Sequence, residues 1–506
     1  MRLLRRPRRR LLAAAASIAA VLVLALGGSL LMRVTKSAPT GLPSASLPTV
    51  AATPTSTPTF DGLQFPYPGT SVPAGKTKVA WLDLRVHDGS AETAFVDKFN
   101  ASNRDNIFLQ LSIISNSGHT DDDIAAGAFD IVGPIGTDGL STRPDTWLGL
   151  NDEIAKYHTD LGVYPPALLN TFKDSAGQYE GLPYDEYPAF IFYNKDLFAK
   201  ARLPDLPTKV GEKYMGQDWT WDELATIAKQ LTVDVDSGKP SASGSGATIR
   251  QYGFDAQWVS DLRRFGTAFG AGSYVASDGK TAQIPAVWQQ ATQWYYDAMW
   301  VSHFAPTNAE RTAADMGGPD GTTVATGRVA MDLAWAWTVS SFGPHDADGN
   351  PASTPASPFK HWDMGVLPSN NGVTTDPIDT DTFVIHEKSK VPDAAYKAML
   401  AIMADPSLMA SYGGMPANPS LQAAYFKSAQ TAVDAQFANN PITWPVLTEM
   451  AKYAASPAFD APMPNYNKAT ADDQAFYTRL QSQRGLNVDA EIAKLKAKLQ
   501  ADFNAP

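Results

Sequence analysis

The chain has 506 residues, 44% hydrophobic and 18% charged, with a formal net charge of −11 and no cysteine. That length allows two or three domains with large cores. The absence of cysteine excludes disulfides, thiol catalysis, cysteine-ligated zinc and an N-terminal lipid on cysteine.

Six of the first ten residues are arginine, and the run from Leu11 to Met32 carries no charge. At about 1.5 Å rise per residue such a run spans a bilayer core. The arginines hold its start in the cytoplasm and send the rest outward. Residues 1–36 are therefore expected to be an uncleaved anchor or a long signal peptide. They hold eight Lys and Arg and no acid, which leaves 33 bases against 52 acids, net −19, in the remainder. An acidic exported domain is a poor partner for nucleic acid. Residues 37–76 are rich in Pro, Ser, Thr and Ala without period, and read as a disordered stalk that adds nothing to the fold.

The globular part opens with a strand over Val79 to Leu84. An amphipathic helix follows, with Ser90 as its cap and Phe95, Val96 and Phe99 apolar. Residues 106–114 and 129–136 read as strands, with a short helix starting at Asp121-Asp122-Asp123 between them. Strand–helix–strand–helix–strand order predicts an α/β domain with a mainly parallel sheet. Further strands are expected at 189–194 and 379–386, and helices from Lys195, over 218–232, around 284–300 and over 393–405. Helical segments, including one at 489–503, close the chain. "RVAMDLAWAWTV" (328–339) alternates large apolar residues with Ala, Asp and Thr, the period of a strand.

Seven stretches, in order, carry a resemblance. They are Gly177-x-x-x-Gly181-Leu182-Pro183, "FYNKDLFAKARLP" at 192–204, "WTWDEL" at 219–224, "YGF" at 252–254, "GRVAM" at 327–331 leading into "AWAW", "GVLP" at 365–368, and "EKSKVPDAAY" at 387–396. Over about residues 77–430 the sequence resembles the family 1 extracellular solute-binding proteins, sugar-capturing components of ABC importers, of which maltose-binding protein is the type. Two departures stand out: no cysteine for a lipid anchor, and Asp379-Thr380-Asp381-Thr382 where the family often has paired glycines.

The resemblance implies a two-lobed α/β fold with ligand held in the cleft between lobes that close about a hinge. One lobe is expected over 77–185 plus 370–408, the other over 186–369 plus 409–506. The chain should cross near Tyr184–Phe190, return near 368–372, and cross again after a helix ending around Asp405. The expected function is capture of a small solute, most readily a carbohydrate, for a membrane permease of the ABC type, by a monomer without catalysis, cofactor or metal. The alternatives are an extracellular glycoside-active enzyme, which needs two carboxyls about 5–10 Å apart, and a sensor or scaffold on the same fold.

Ligand contacts are expected from Tyr184, Asp185 and Glu186 at the crossing, where carboxylates accept from sugar hydroxyls and an aromatic face covers the ring. Strand ends add Asp83, Arg85, His87, Thr137 and Asp138, and Trp258, Asp381 and Met415 complete the set. Any of these equally suits a cap, a surface charge or core packing. Of the paired tryptophans, the strand should end near Leu333 or Ala334 at the cleft. Residues two apart would then diverge, Trp335 toward ligand and Trp337 second. The seven histidines never fall within five residues of one another, so no His-x-x-x-His zinc motif exists. "DVDSG" (234–238) and "DADGN" (346–350) lack the twelfth-position glutamate of a calcium loop and read as turns.

Overall fold

The computed structural model describes residues 59–505 apart from 61–62, 86–88, 115–120, 144, 175, 236–247, 257–261, 314–322, 339–360, 438–439 and 456–462. The apolar run at 11–32, His87, Trp258, most of "DVDSG" and all of "DADGN" lie outside the described residues. No helix among those described is long and apolar enough to cross a membrane.

Strand β1 (Thr77–Asp83), helix α1 (Ser90–Ser102), strand β2 (Ile107–Ile113), helix α2 (Asp121–Ala126) and strand β3 (Ile131–Gly136) follow in turn. Their side chains are buried on both strand faces, the pattern of a sheet covered by helices on each side. β1 pairs in parallel with both β2 and β3. Ser90 is the first residue of α1 rather than its cap. Gly89 occupies the cap at φ 67°, a conformation glycine adopts without penalty.

Three later segments join this sheet: β4 (Asp185–Tyr187), β9 (Asp379–Ile385) and β10 (Met415–Pro416). The six-strand order is β10-β4-β9-β3-β1-β2, with every pairing through β4 and β9 antiparallel. The sheet is thus mixed, not mainly parallel, because chain returning from the other half enters it from the opposite end. Helices α7 (Pro392–Met403) and α8 (Pro406–Tyr412) cover it, and Tyr396, Met399, Ile402 and Leu408 lie in its core.

The second sheet is built on β5 (Ala189–Asn194), whose "AFIFYN" is buried throughout. β7 (Met331–Trp335) and β8 (Trp362–Gly365) flank it antiparallel, and β6 (Asp255–Ala256) adds parallel to β7. Helices α5 (Trp221–Leu231), α6 (Ala286–Trp300), α10 (Tyr466–Ser482) and α11 (Val488–Phe503) supply a separate core that includes Trp221, Trp288 and Leu499. Thr220 caps α5, accepting from the Glu223 amide at 3.1 Å. Two sheets with separate cores make two lobes.

Only Pro188 separates β4 from β5, so the chain changes sheets within one residue. The expected lobe boundary after residue 185 therefore moves to 188. Met415–Pro416, expected in the second lobe, hydrogen-bonds into the first sheet beside β4. Asp376 ties the crossings together. Its Oδ1 accepts from the Ala189 amide at 2.9 Å, its own amide donates to the Tyr453 carbonyl, and its carbonyl accepts from Ala455.

The stalk ends earlier than the composition suggests. Phe65 is buried in the first core, and Tyr67 exchanges backbone hydrogen bonds of 2.7 and 2.8 Å with Leu111 of β2. Tyr67 also donates from its hydroxyl to Asp97 at 2.9 Å. β2 is an edge strand, and pairing with chain from the supposed linker covers its open polar groups. Proline hid this segment because X-Pro favours the extended conformation whether or not it pairs.

Candidate functional site

Where the two sheets meet, an arginine is surrounded by acids. Arg85 follows β1 and is oriented from its own neighbourhood, since its amide donates to Asp83 Oδ1 at 2.8 Å. Its Nη1 donates to the Tyr412 carbonyl at 2.6 Å, and its Nη2 to Tyr187 Oη and Asp381 Oδ2, both at 2.8 Å. The Asp185 carboxylate lies 3.6 Å away, and the guanidinium carbon sits 4.2 Å above the Tyr412 ring, a cation–π contact. Tyr412 in turn donates its hydroxyl to Asp83 Oδ2 at 2.9 Å. Arg85 thereby joins the first strand, both crossing strands and the end of α8.

Strand alternation explains which side chains meet. Asp185 and Tyr187 share one face of β4, and the Tyr187 hydroxyl donates to Asp185 Oδ2 at 2.9 Å. Glu186 points the other way, where its Oε1 accepts from Gln422 at 3.0 Å and its Oε2 has no partner. Gln422 belongs to helix α9 (Pro419–Gln436). In β9, Asp379 and Asp381 share a face, while Thr380 turns back and donates to the Asp185 carbonyl at 2.5 Å.

Asp381 lies directly across from Asp185 on one side and from Gly136 on the other. Like charges directly opposite destabilise a sheet, and Arg85 relieves this pair. Burial, then the nearby Asp381 charge, pushes the Asp185 carboxyl up to about 7. Burial also raises Asp381. Burial works against the Arg85 charge, but Tyr187, Asp381 and Asp185 outweigh it and hold the guanidinium protonated. On the other face, burial, then Asp376, pushes Glu186 up to about 8. Asp376 itself is raised well above the ordinary range by burial.

Carboxylates crowd the end of β3. A side chain on Gly136 would place its Cβ 2.9 Å from Asp138 Oδ1, 3.4 Å from Asp381 Oδ1 and 3.9 Å from Asp379 Oδ1. Three carboxylate oxygens thus converge where the backbone carries no side chain. Asp138 is half-buried at the start of helix α3 (Thr137–Ser141), and Thr137 beside it is buried.

The second lobe contributes aromatics. Tyr187 meets Trp337 edge to face at 5.3 Å, and Trp337 stacks on Trp335 at 5.3 Å with planes 5° apart. Trp335 is fully buried and donates its indole N–H to the Pro377 carbonyl at 2.7 Å. Trp337 is half-buried. Of the two rings, Trp337 is therefore the more exposed. β7 continues through Trp335, one residue further than expected, and the turn that follows keeps both rings on one side. Trp335 braces the return crossing, and Trp337 is the ring nearer solvent.

Of the other expected contacts, Asp185, Arg85, Asp381 and Asp138 come together around the crossing. Asp83 is buried and holds Arg85 and Tyr412 rather than facing the cleft. Tyr184 is core, edge to face with Phe383 at 5.0 Å and Tyr412 at 5.8 Å, because it lies on the face of the chain away from the crossing. Glu186 faces the interior between Gln422 and Asp376. Met415 is fully buried, paired with Glu186. The preceding Gly414 has no room for a side chain because the Asp185 carboxylate occupies that space. Sequence reasoning missed Tyr412, while Tyr187 and Asp379 stand within the Tyr184–Tyr187 and Asp379–Thr382 segments that it singled out. The period-two signal for Tyr187 and Asp379 was present, two residues from Asp185 and Asp381. Among the described residues no group of three or more His, Asp or Glu is placed to hold a metal ion.

A family model described as bacterial extracellular solute-binding protein matches residues 88–406, more than half of the chain. No curated protein sequence matches it. Solved structures align over most of its length. An ABC substrate-binding protein of Listeria monocytogenes, in complex with cycloalternan, is 17% identical, with TM-score 0.61, covering 85% of this chain and 100% of its own. The sugar-binding protein MalE of Xanthomonas citri is 17% identical, with TM-score 0.60, covering 84% and 97%. The cyclic α-maltosyl-1,6-maltose binding protein of Arthrobacter globiformis is 17% identical, with TM-score 0.59, covering 85% and 99%. At such identities the likeness is one of fold.

Proposed function

Because this chain belongs to the bacterial extracellular solute-binding proteins, we propose that it captures a carbohydrate between its lobes and delivers it to a membrane permease of the ABC type. The observation that carries this reading is the joint between the lobes. Arg85, Asp381, Asp138 and Tyr187 offer charged and hydroxyl partners from one side, and Trp337 offers an aromatic ring from the other. Planar charged groups match sugar hydroxyls through charge-assisted hydrogen bonds, while an indole face covers the apolar C–H surface of a ring. A ligand that touches both lobes favours the closed form by its differential affinity.

The similar proteins from Listeria monocytogenes and Arthrobacter globiformis are described with cyclic oligosaccharides, which supports a sugar here. The family acts outside the cytoplasm, and the apolar run at 11–32 would serve as the anchor that a lipidated cysteine supplies elsewhere. Binding proceeds without turnover, as suits a chain whose family is one of binding proteins.

The test is a calorimetric and thermal-shift screen of the purified full-length chain against mono- and oligosaccharides. A hit should lose about ten- to a hundredfold in affinity on Trp337→Ala, the worth of one stacked aromatic. Trp335→Ala should instead lower stability by about 3–5 kcal/mol, the cost of emptying a buried indole site. A Gly136→Val chain should lose the hit, since the new side chain must displace the Asp138 carboxylate and crowd that of Asp381. Unchanged affinity in both the Gly136 and Trp337 variants would move the site elsewhere.

A further inference from the structure

The edges of the two large sheets differ in length. β10 and β6 have two residues each. β8 has four and lies beside helix α4 (Lys195–Ala201). β2 has seven, all buried. A long apolar edge strand is a template for pairing with another chain unless something covers it.

β2 is covered group by group. In a strand the N–H and C=O of every second residue point to the same side, and in β2 the outward ones include those of Ile107, Leu109 and Leu111. The Ile107 amide donates to Asn103 Oδ1 at 3.0 Å, and Asn103 Nδ2 donates back to the Ile107 carbonyl at 3.0 Å. Asn100 does the same for Leu109, at 2.8 and 2.9 Å. Leu111 exchanges its two bonds with the backbone of Tyr67. Two side-chain amides from the end of α1 thus stand in for a strand, and a strap at Phe65–Gly69 supplies the third position. Gln110 holds the strap from below, donating from Nε2 to the Pro68 and Gly69 carbonyls.

The covered edge is also self-complementary. Tyr67 meets Leu111 antiparallel, so the edge already accepts a chain of that direction. Two copies of β2 related by a two-fold axis at Gln110 set Leu109 opposite Leu111 and Ile107 opposite Ile113. Leu109 and Leu111 both turn their backbone groups outward, so this register makes hydrogen-bonded pairs in an isologous contact. Asn100 and Asn103 are side chains that can rotate aside, whereas Tyr67 pairs through its main chain. The strap therefore decides whether the edge is open.

We propose that the β2 edge is a docking surface for a second copy of this chain, held shut by Asn100, Asn103 and the strap, and that releasing the strap lets two copies join antiparallel through β2. The test is a full-length chain carrying Phe65→Ala and Tyr67→Pro, which empties the pocket under the strap and removes the amide that reaches Leu111. Light scattering after gel filtration should show its mass double as concentration rises, while the parent keeps the mass of one chain. Gln110 would face its own copy in a non-hydrogen-bonded pair with Cα atoms about 4.5 Å apart, within reach of a disulfide. The native chain has no cysteine, so Gln110→Cys added to the released chain should crosslink two copies under mild oxidation. Arg104→Cys, exposed but off the axis, should crosslink at least about tenfold more slowly. Phe65→Ala alone, which loosens the strap without touching β2, keeps the test open if the double variant does not fold. The proposal is overturned if the folded released chain keeps the mass of one copy. It is also overturned if Arg104→Cys crosslinks as fast as Gln110→Cys, or if releasing the strap changes neither mass nor crosslinking.

Discussion

Arg85→Met should lower the unfolding free energy by about 3–5 kcal/mol near neutral pH, the cost of leaving buried carboxylates without their cation. The residue is the only cation contacting Asp381 and Asp185 among the described residues, at 2.8 and 3.6 Å, and its side chain is only 14% exposed. Urea unfolding measures the loss. Adding Asp381→Asn should recover part of it, because the second change removes one of the charges left behind. Arg85→Lys should fall between, since an ammonium cannot donate to Tyr187, Asp381 and the Tyr412 carbonyl in the same planar arrangement. All three variants should lose sugar binding. Arg85→Met with full stability would mean that the cluster is solvated, contrary to its burial.

The second large effect lies on the opposite face of β4 and concerns pH. Glu186 is pushed up to about 8 from an ordinary value of 4.5. Between those values the folded chain keeps a proton that the unfolded chain has released, so stability falls as pH rises through the window. The contribution is fully present below about 4.5, is lost as pH passes 8, and amounts to on the order of 5 kcal/mol. Asp185, raised to about 7, acts in the same direction. The groups facing Glu186 are Gln422, Asp376 and Asp185, and none of them is a cation. Glu186→Gln keeps a neutral group at every pH. The variant should match the parent near pH 5 and exceed it near pH 9, with a shallower slope between. Unfolding curves at pH 5, 7 and 9 measure this, and parallel slopes in the two proteins would show that Glu186 does not hold its proton.

Much of the fold was legible because local periods encode it. The strands at 131–136, 189–194 and 379–385 and the helix at 221–231 follow from apolar runs, alternation and a capping threonine. The joint was legible only in part. Asp185 and Asp381 drew notice one at a time, but that they oppose each other across a ladder, with Arg85 between them, depends on contacts spanning 196 and 296 positions. No local period carries such information. The replacement of paired glycines by "DTDT" gains a physical sense here, since Asp381 supplies the acceptor that Arg85 requires.

The tryptophans show the opposite failure. Simple alternation placed Trp335 and Trp337 on one side, and the structure stacks them. The added assumption that the strand ends early separated them and favoured the buried ring. Phe65 and Tyr67 were lost inside a composition that reads as linker, although one packs in the first core and the other bridges the edge strand at Leu111.

Titration calorimetry of the full-length chain with a panel of neutral mono- and oligosaccharides tests the central claim most directly. A sugar captured at the joint should bind with micromolar or tighter affinity, and Trp337→Ala and Arg85→Lys should each abolish most of that affinity while the chain stays folded. No binding across the panel, or binding indifferent to both changes, would contradict capture of a carbohydrate between these lobes.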